Sequence, residues 1–360
     1  MELHAPPLSV SATADILHHI GFIKEVAATE PPKHLSHLLR MLKTKGSLLC
    51  LACNSWFVFG FCFLSLDKDW LGQCYLVAEL LRPSFSKYVL KYLVVTNKVG
   101  RRGYSDALCG SIVPPGAKKG LIPLAIPLAR NGSGALIALL RWPTAPPGME
   151  MPVVEVCKHG VWLLAKTVDQ YIHRILVEED ANIFSKSNAD LFHAAADAGD
   201  NLYTKGDYAK SQILDLDVYL LRKVGLFPDV LERKVMHHLQ KGDHVSALVT
   251  GEFYTNKKHF PGFARPFAFN AEVLLKFNVA QIAQWEDEQI EYIKEKMTEE
   301  GRQEDLNKGK EPAQIALDEA ASLLDLASVE GTWDEAVEHI AECYKHAGLH
   351  NVARFVEYRD

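Results

Sequence analysis

The side chains best suited to chemistry are seven cysteines and fifteen histidines. Cys50 and Cys53 form a Cys-x-x-Cys pair. Such a pair is half of a zinc site, or a redox couple when a helix N-terminus depresses a thiol pKa. Cys62 and Cys74 are the nearest later cysteines, and the neighbours are strongly apolar, so the pair reads as buried core. His34 and His37 are three positions apart, and His18-His19 and His237-His238 are doublets. Adjacent helical residues do not face each other, so the doublets make poor chelates. No G-x-x-x-x-G-K-[ST] loop, G-x-S-x-G elbow or H-E-x-x-H pair occurs, and no G-x-G-x-x-G follows a strand. Lys118-Lys119-Gly120 and Arg101-Arg102-Gly103 lack phosphate-loop architecture. No catalytic, cofactor-binding or metal-ligating set is assigned, and the chain reads as non-enzymatic. An enzyme with a dispersed site is an alternative.

The elements that would carry these residues form an α+β protein. At 360 residues two domains are expected: an α+β domain over 1–182 and a helical domain over 183–360. Hydrophobic residues at 48% and charged residues at 23% exclude disorder, collagen and a polytopic membrane protein. A net charge of −6 argues against generic polyanion binding. The odd number of scattered cysteines disfavours a disulfide scaffold. The first residues show neither a signal peptide nor an acid-free transit pattern, since Glu2, Asp15 and Glu25 come early. The expected place is the cytoplasm or another reducing intracellular compartment, not the exterior.

Helices are predicted near Ala12–Val26 and Lys33–Lys43, the second after Pro31-Pro32. Strand-like runs follow at Leu48–Cys53, Trp56–Leu66, Tyr75–Leu81, Tyr88–Thr96, Leu121–Leu128, Ala135–Trp142 and Val153–Cys157. Asn131-Gly132-Ser133-Gly134, which includes a glycosylation sequon, reads as a hairpin turn. The spacing of Val161, Leu164, Val168, Tyr171, Ile172, Ile175 and Leu176 predicts one helix over Gly160–Glu179. A largely antiparallel sheet is therefore expected. Beyond it, helices are predicted at Ala189–Tyr203, Asp207–Val224, Asp229–Gln240, Ala271–Met297, Ala313–Ser328 and Thr332–Ala347. Thr250–Arg265 reads as an ordered loop and 299–312 as a charged linker-like loop.

Gly46–Leu66 carries no charge over 21 residues, long enough to span a bilayer. The period-two recurrence of Phe57, Phe59, Phe61 and Phe63 favours a buried hairpin, because a helix would scatter those rings. A single-span membrane anchor over 46–66 is the alternative.

A repeated turn is the most useful signal. Lys205-Gly206-Asp207-Tyr208-Ala209-Lys210-Ser211 is echoed by Lys241-Gly242-Asp243-His244-Val245-Ser246-Ala247 and by Glu330-Gly331-Thr332-Trp333-Asp334-Glu335-Ala336. Glycine would end one helix in the left-handed region, Asp or Thr would cap the next, the ring would fill the hairpin seam, and the small residue would allow close approach. These copies, with Ala198-Gly199 and Leu202 or Leu323-Leu324 and Ala327 upstream, resemble tetratricopeptide repeats. The first copy departs in having Asp215 at an apolar position. The resemblance implies a protein-binding scaffold.

Charge is unevenly spread. Lys87–Arg141 holds nine positive residues and one negative, net +8, whereas Glu286–Glu342 is net −13. The two parts could attract each other within the chain or present a basic face to a partner. The basic candidates are Lys98, Arg101, Arg102, Lys118, Lys119 and Arg130. The acidic stretch Gln281–Met297 is a further contact candidate. The sequence thus points to a scaffold or adaptor subunit binding other proteins of a larger assembly. Nucleic acid or anionic lipid through residues 87–141, or a membrane, are further partners to weigh.

Overall fold

The computed structural model describes residues 10–53, 111–130, 135–145, 149–182, 189–256, 258–276 and 298–360. Helix α1 (Val10–Glu25) and helix α2 (Leu35–Cys53) come first. Leu35, Leu38, Leu39 and Leu42 are buried at helical spacing and fix the inner face of α2. The run Leu48–Cys53, expected as a strand, is instead the end of α2. No proline separates it from the turns already nucleated, and propagation is easier than restarting as a strand. Residues 54–66, the rest of the hairpin-or-span candidate, lie outside the described residues, as do the strands expected at 75–81 and 88–96. No helix among the described residues is long and apolar enough to cross a membrane.

Five strands then form an antiparallel meander in the order β1 (Ser111–Ile112), β2 (Ala125–Arg130), β3 (Leu136–Leu140), β4 (Val153–Cys157) and β5 (Gly160–Ala165). Ala125 pairs with Leu140, Leu136 with Val156, and Cys157 with Gly160. The β2–β3 register shifts between Pro127 and Ala129, where proline lacks a ladder donor. His19 of α1, buried, lies 3.2 Å from the Pro127 carbonyl through Nε2 and 2.8 Å from the Asp15 carbonyl through Nδ1. Every residue of β3 is buried, so both faces of the sheet are covered.

The helix expected over Gly160–Glu179 divides into β5 and helix α3 (Val168–Ala181). The two-residue Lys158-His159 turn pairs β5 with β4, and Thr167 Oγ1 then caps α3 by accepting from the Gln170 amide at 3.1 Å. Val161 and Leu164 matched a helical period only because a short apolar run fits either period.

Helix α4 (Ala189–Leu202) packs on α2 and α3. The helix expected over Asp207–Val224 breaks into a turn at Asp207–Lys210, a turn at Leu216–Tyr219 and a π-helical stretch Leu220–Val224. Gln212 adopts φ +58°, and the Asp215 carboxylate caps the second turn by accepting from the Asp217 amide at 2.8 Å. Then follow α5 (Pro228–Gln240), α6 (His244–Tyr254), α7 (Arg265–Lys276), α8 (Glu299–Asn307), α9 (Pro312–Glu330), α10 (Trp333–His346) and α11 (His350–Glu357). Helix α6 runs five residues into the expected loop, and α8 occupies most of the segment expected as a charged linker. The rest of the long helix expected to Met297 lies outside the described residues.

The α5–α6 and α9–α10 hairpins turn on Gly242 and Gly331, both at φ +73°. Asp243 Oδ1 caps α6 by accepting from the Ser246 amide at 3.1 Å. The first copy has its left-handed Gly206 but no second helix, so it forms no helical hairpin. In the third copy Trp333 leaves the hairpin seam: its Nε1–H donates to the Lys158 carbonyl of the β4–β5 turn at 2.9 Å. One buried apolar cluster runs from Phe22 to Val356, joining sheet and helices. Helix α1 meets α11 where Phe22 lies edge-on to Phe355 and Tyr358, at 6.4 and 5.2 Å.

Candidate interaction surface

Two polar seams join the sheet and its following helix α3 to later helices. In the first, Arg174 of α3 is fully buried and donates to both Asp229 oxygens, at 2.7 and 2.6 Å, and through Nε to Glu178 at 2.9 Å. Asp229 also accepts from Arg233 at 2.7 Å. Burial alone would raise the Asp229 pKa, but Arg174 and Arg233 outweigh it and hold the carboxyl at about 2.

The second seam carries the basic candidates. Lys118 is fully buried, which removes it from any outward-facing basic patch. Helix α11 lies over it: Nζ donates to the Phe355 carbonyl at 2.6 Å and sits 3.6 Å above the Phe355 ring. Burial, then the neighbouring Arg359 and Arg141 charges, lower its pKa to about 6. Lys119 and Arg130 are exposed. Lys98, Arg101 and Arg102 lie outside the described residues. Asp334 accepts from the Gly120 amide at 3.0 Å with both oxygens and pairs with Arg359. The acidic stretch thus touches the basic one through a backbone amide, while the basic side chain that pairs with Asp334 is Arg359, outside that stretch.

The surface suited to a partner is elsewhere, on α6. Its inner face buries Ala247, Gly251 and Tyr254. A Cβ on Gly251 would come within 2.5 Å of Asn270 Oδ1, so glycine permits the close approach of α7. The outer face is also apolar: Val245, Val249 and Phe253, at four-residue steps, are 74%, 62% and 46% exposed. A surface helix normally turns polar residues outward; here Val245 and Val249 face outward as well, while the Phe253 ring meets that of His259 at 4.3 Å. Val249, Glu252, Phe253, Thr255 and Asn256 line a shallow open groove of about 510 Å³ beside it. Fully burying each such side chain would contribute about 1.5–3 kcal/mol. The sequence reading missed this face because it placed a loop from Thr250, although the four-residue spacing was visible.

The spaced histidine pair His34 and His37 has a structural place. His34 Nδ1 lies 2.6 Å from Asp169 Oδ1, and the His34 and His37 rings are 5.6 Å apart. Among the described residues one group could hold a metal ion: Glu319, His339 and Cys343. His339 and Cys343 stand four apart on α10, a spacing readable in the sequence but not singled out there.

Comparison with known proteins follows the whole chain. Residues 17–54 and 106–223 match the PAB N-terminal family, 228–285 the PAB middle domain and 290–358 the PAB C-terminal domain. The hairpins on Gly242 and Gly331 fall within the PAB middle and C-terminal matches, and no tetratricopeptide family is among the matches. The curated protein IN CHLOROPLAST ATPASE BIOGENESIS, chloroplastic, from Arabidopsis thaliana is 49% identical over 368 residues, covering 95% of this chain and 91% of that protein. No solved structure matches. With its three consecutive domain matches and a full-length relative at this identity, the chain belongs to the PAB family.

Proposed function

We propose that this chain is a non-enzymatic scaffold acting in the biogenesis of an ATPase, and that it holds a partner protein on the outer face of α6. The name of the Arabidopsis relative supports the process and suggests the chloroplast as the particular intracellular compartment, where the sequence left the cytoplasm or another reducing compartment open. The observation that carries the binding mode is the stripe Val245, Val249 and Phe253, apolar and exposed on a helix already packed on its other side. Lys119 and Arg130 are proposed as a secondary basic contact. The test is co-purification of ATPase subunits with the tagged full chain from chloroplast extract, compared with Val249→Asp. Stoichiometric capture by the parent chain and at least about tenfold weaker capture by the variant, at unchanged helical content, is the expected result. Equal capture by both would remove α6 as the docking face, and absence of ATPase subunits from both would remove the assembly role.

A further inference from the structure

We propose that Glu319, His339 and Cys343 form a site for a zinc-class divalent cation that staples the C-terminal helical hairpin. Glu319 stands on α9, and His339 and Cys343 stand on α10. Residues four apart on a helix share a face, so the imidazole and the thiol point to the same side. The three candidate ligand atoms all lie within 4.8 Å of one another. Glu319 Oε1 is 3.4 Å from His339 Nε2. Zinc–ligand bonds of about 2.0–2.3 Å at tetrahedral angles separate neighbouring ligand atoms by about 3.3–3.8 Å. The carboxylate and imidazole already stand at that separation, and the thiol, within 4.8 Å of both, would close the set by approaching them by up to about 1 Å.

The donor set selects the ion. One thiolate, one imidazole and one carboxylate suit zinc; magnesium and calcium prefer oxygen ligands alone. Cys343 is buried while His339 is about half exposed, which gives an entry path on the imidazole side. Three protein ligands leave a fourth position for water or for a partner's side chain. Arg302 of α8 donates to the same Glu319 oxygen. That guanidinium is a competing cation, so loading the site must draw Glu319 away from α8. Metal binding would thereby couple the α9–α10 hairpin to the placement of α8.

The experiment uses the full chain, reduced, stripped with chelator and titrated with cobalt(II). Expected are about one equivalent bound and a thiolate-to-cobalt charge-transfer band that Cys343→Ser abolishes and Cys157→Ser retains. His339→Gln, at an exposed position chosen to preserve folding, should weaken cobalt and zinc binding at least about tenfold. Arg302→Met, which removes the competing cation, should tighten it. Circular dichroism of each variant verifies the fold. No band in the parent chain, a band of full strength in Cys343→Ser, or unchanged affinity in His339→Gln and Arg302→Met would overturn the site.

Discussion

The seam at Arg174 and the seam at Lys118 solve the same problem in opposite ways. Both bury a basic side chain where an earlier part of the chain meets a later helix, α3 against α5 in one and the β1–β2 connection against α11 in the other. Arg174 is met by carboxylates that satisfy its fork, so its charge is kept. Lys118 meets a carbonyl, a ring and two further cations, with Arg141 Nε and Nη1 and Arg359 Nε buried without hydrogen-bond partners. Its charge is given up instead. The first joint is fixed across the physiological range, and the second depends on pH, because one has matched charges and the other does not.

The largest effect expected from breaking this contrast is at the paired seam. Asp229→Asn removes the bidentate carboxylate charge from the buried Arg174, and should cost about 3 kcal/mol in urea unfolding. A loss within experimental error would mean that the pair is not structural. Next is the neutral contact between the β4–β5 turn and the α9–α10 turn. A Cβ at Gly331 would stand 2.8 Å from Lys158 Cε at a φ of +73°, so Gly331→Ala should cost about 1–3 kcal/mol.

The Lys118 seam should show itself as a slope. The unfolded lysine binds its proton up to about pH 10.4, whereas the folded one binds it only below about 6. Between those values the unfolded state holds more protons, so stability rises with pH, by at most about 1.4 kcal/mol per unit. Lys118→Met should flatten the rise between pH 6 and pH 9 while the Asp229→Asn variant keeps it. An unflattened slope would assign the dependence to another group. The smallest effect is expected on α6, which takes part in neither seam: Val249→Asp should change stability by less than about 0.5 kcal/mol while abolishing capture of the partner.

Much of the sheet was readable because its signals are local. Strand β4 falls on Val153–Cys157 as expected, and β2 and β3 flank Asn131-Gly132, whose turn residues lie outside the described ones. The hairpins on Gly242 and Gly331 were announced by glycine followed by Asp or Thr. Less was readable where two periods fit the same run, as in β5, or where a helix continued through an apolar stretch, as in α2. The candidate surface was half legible: the spacing of Val245, Val249 and Phe253 is written in the chain, but their exposure is not.

The chain by itself determined the α+β class, a largely antiparallel sheet and the glycine-ended turns at Gly242 and Gly331, because backbone geometry answers to neighbours a few residues away; the strand order came only with the tertiary structure. Tertiary structure alone decided the fate of the charges. Lys118 and Lys119 are adjacent and chemically identical, yet one is buried under Phe355, 237 residues later, and the other faces water. Likewise Trp333, spaced to fill a hairpin, reaches the Lys158 carbonyl 175 residues away. Desolvation depends on what packs over a group, and sequence spacing does not say what that will be.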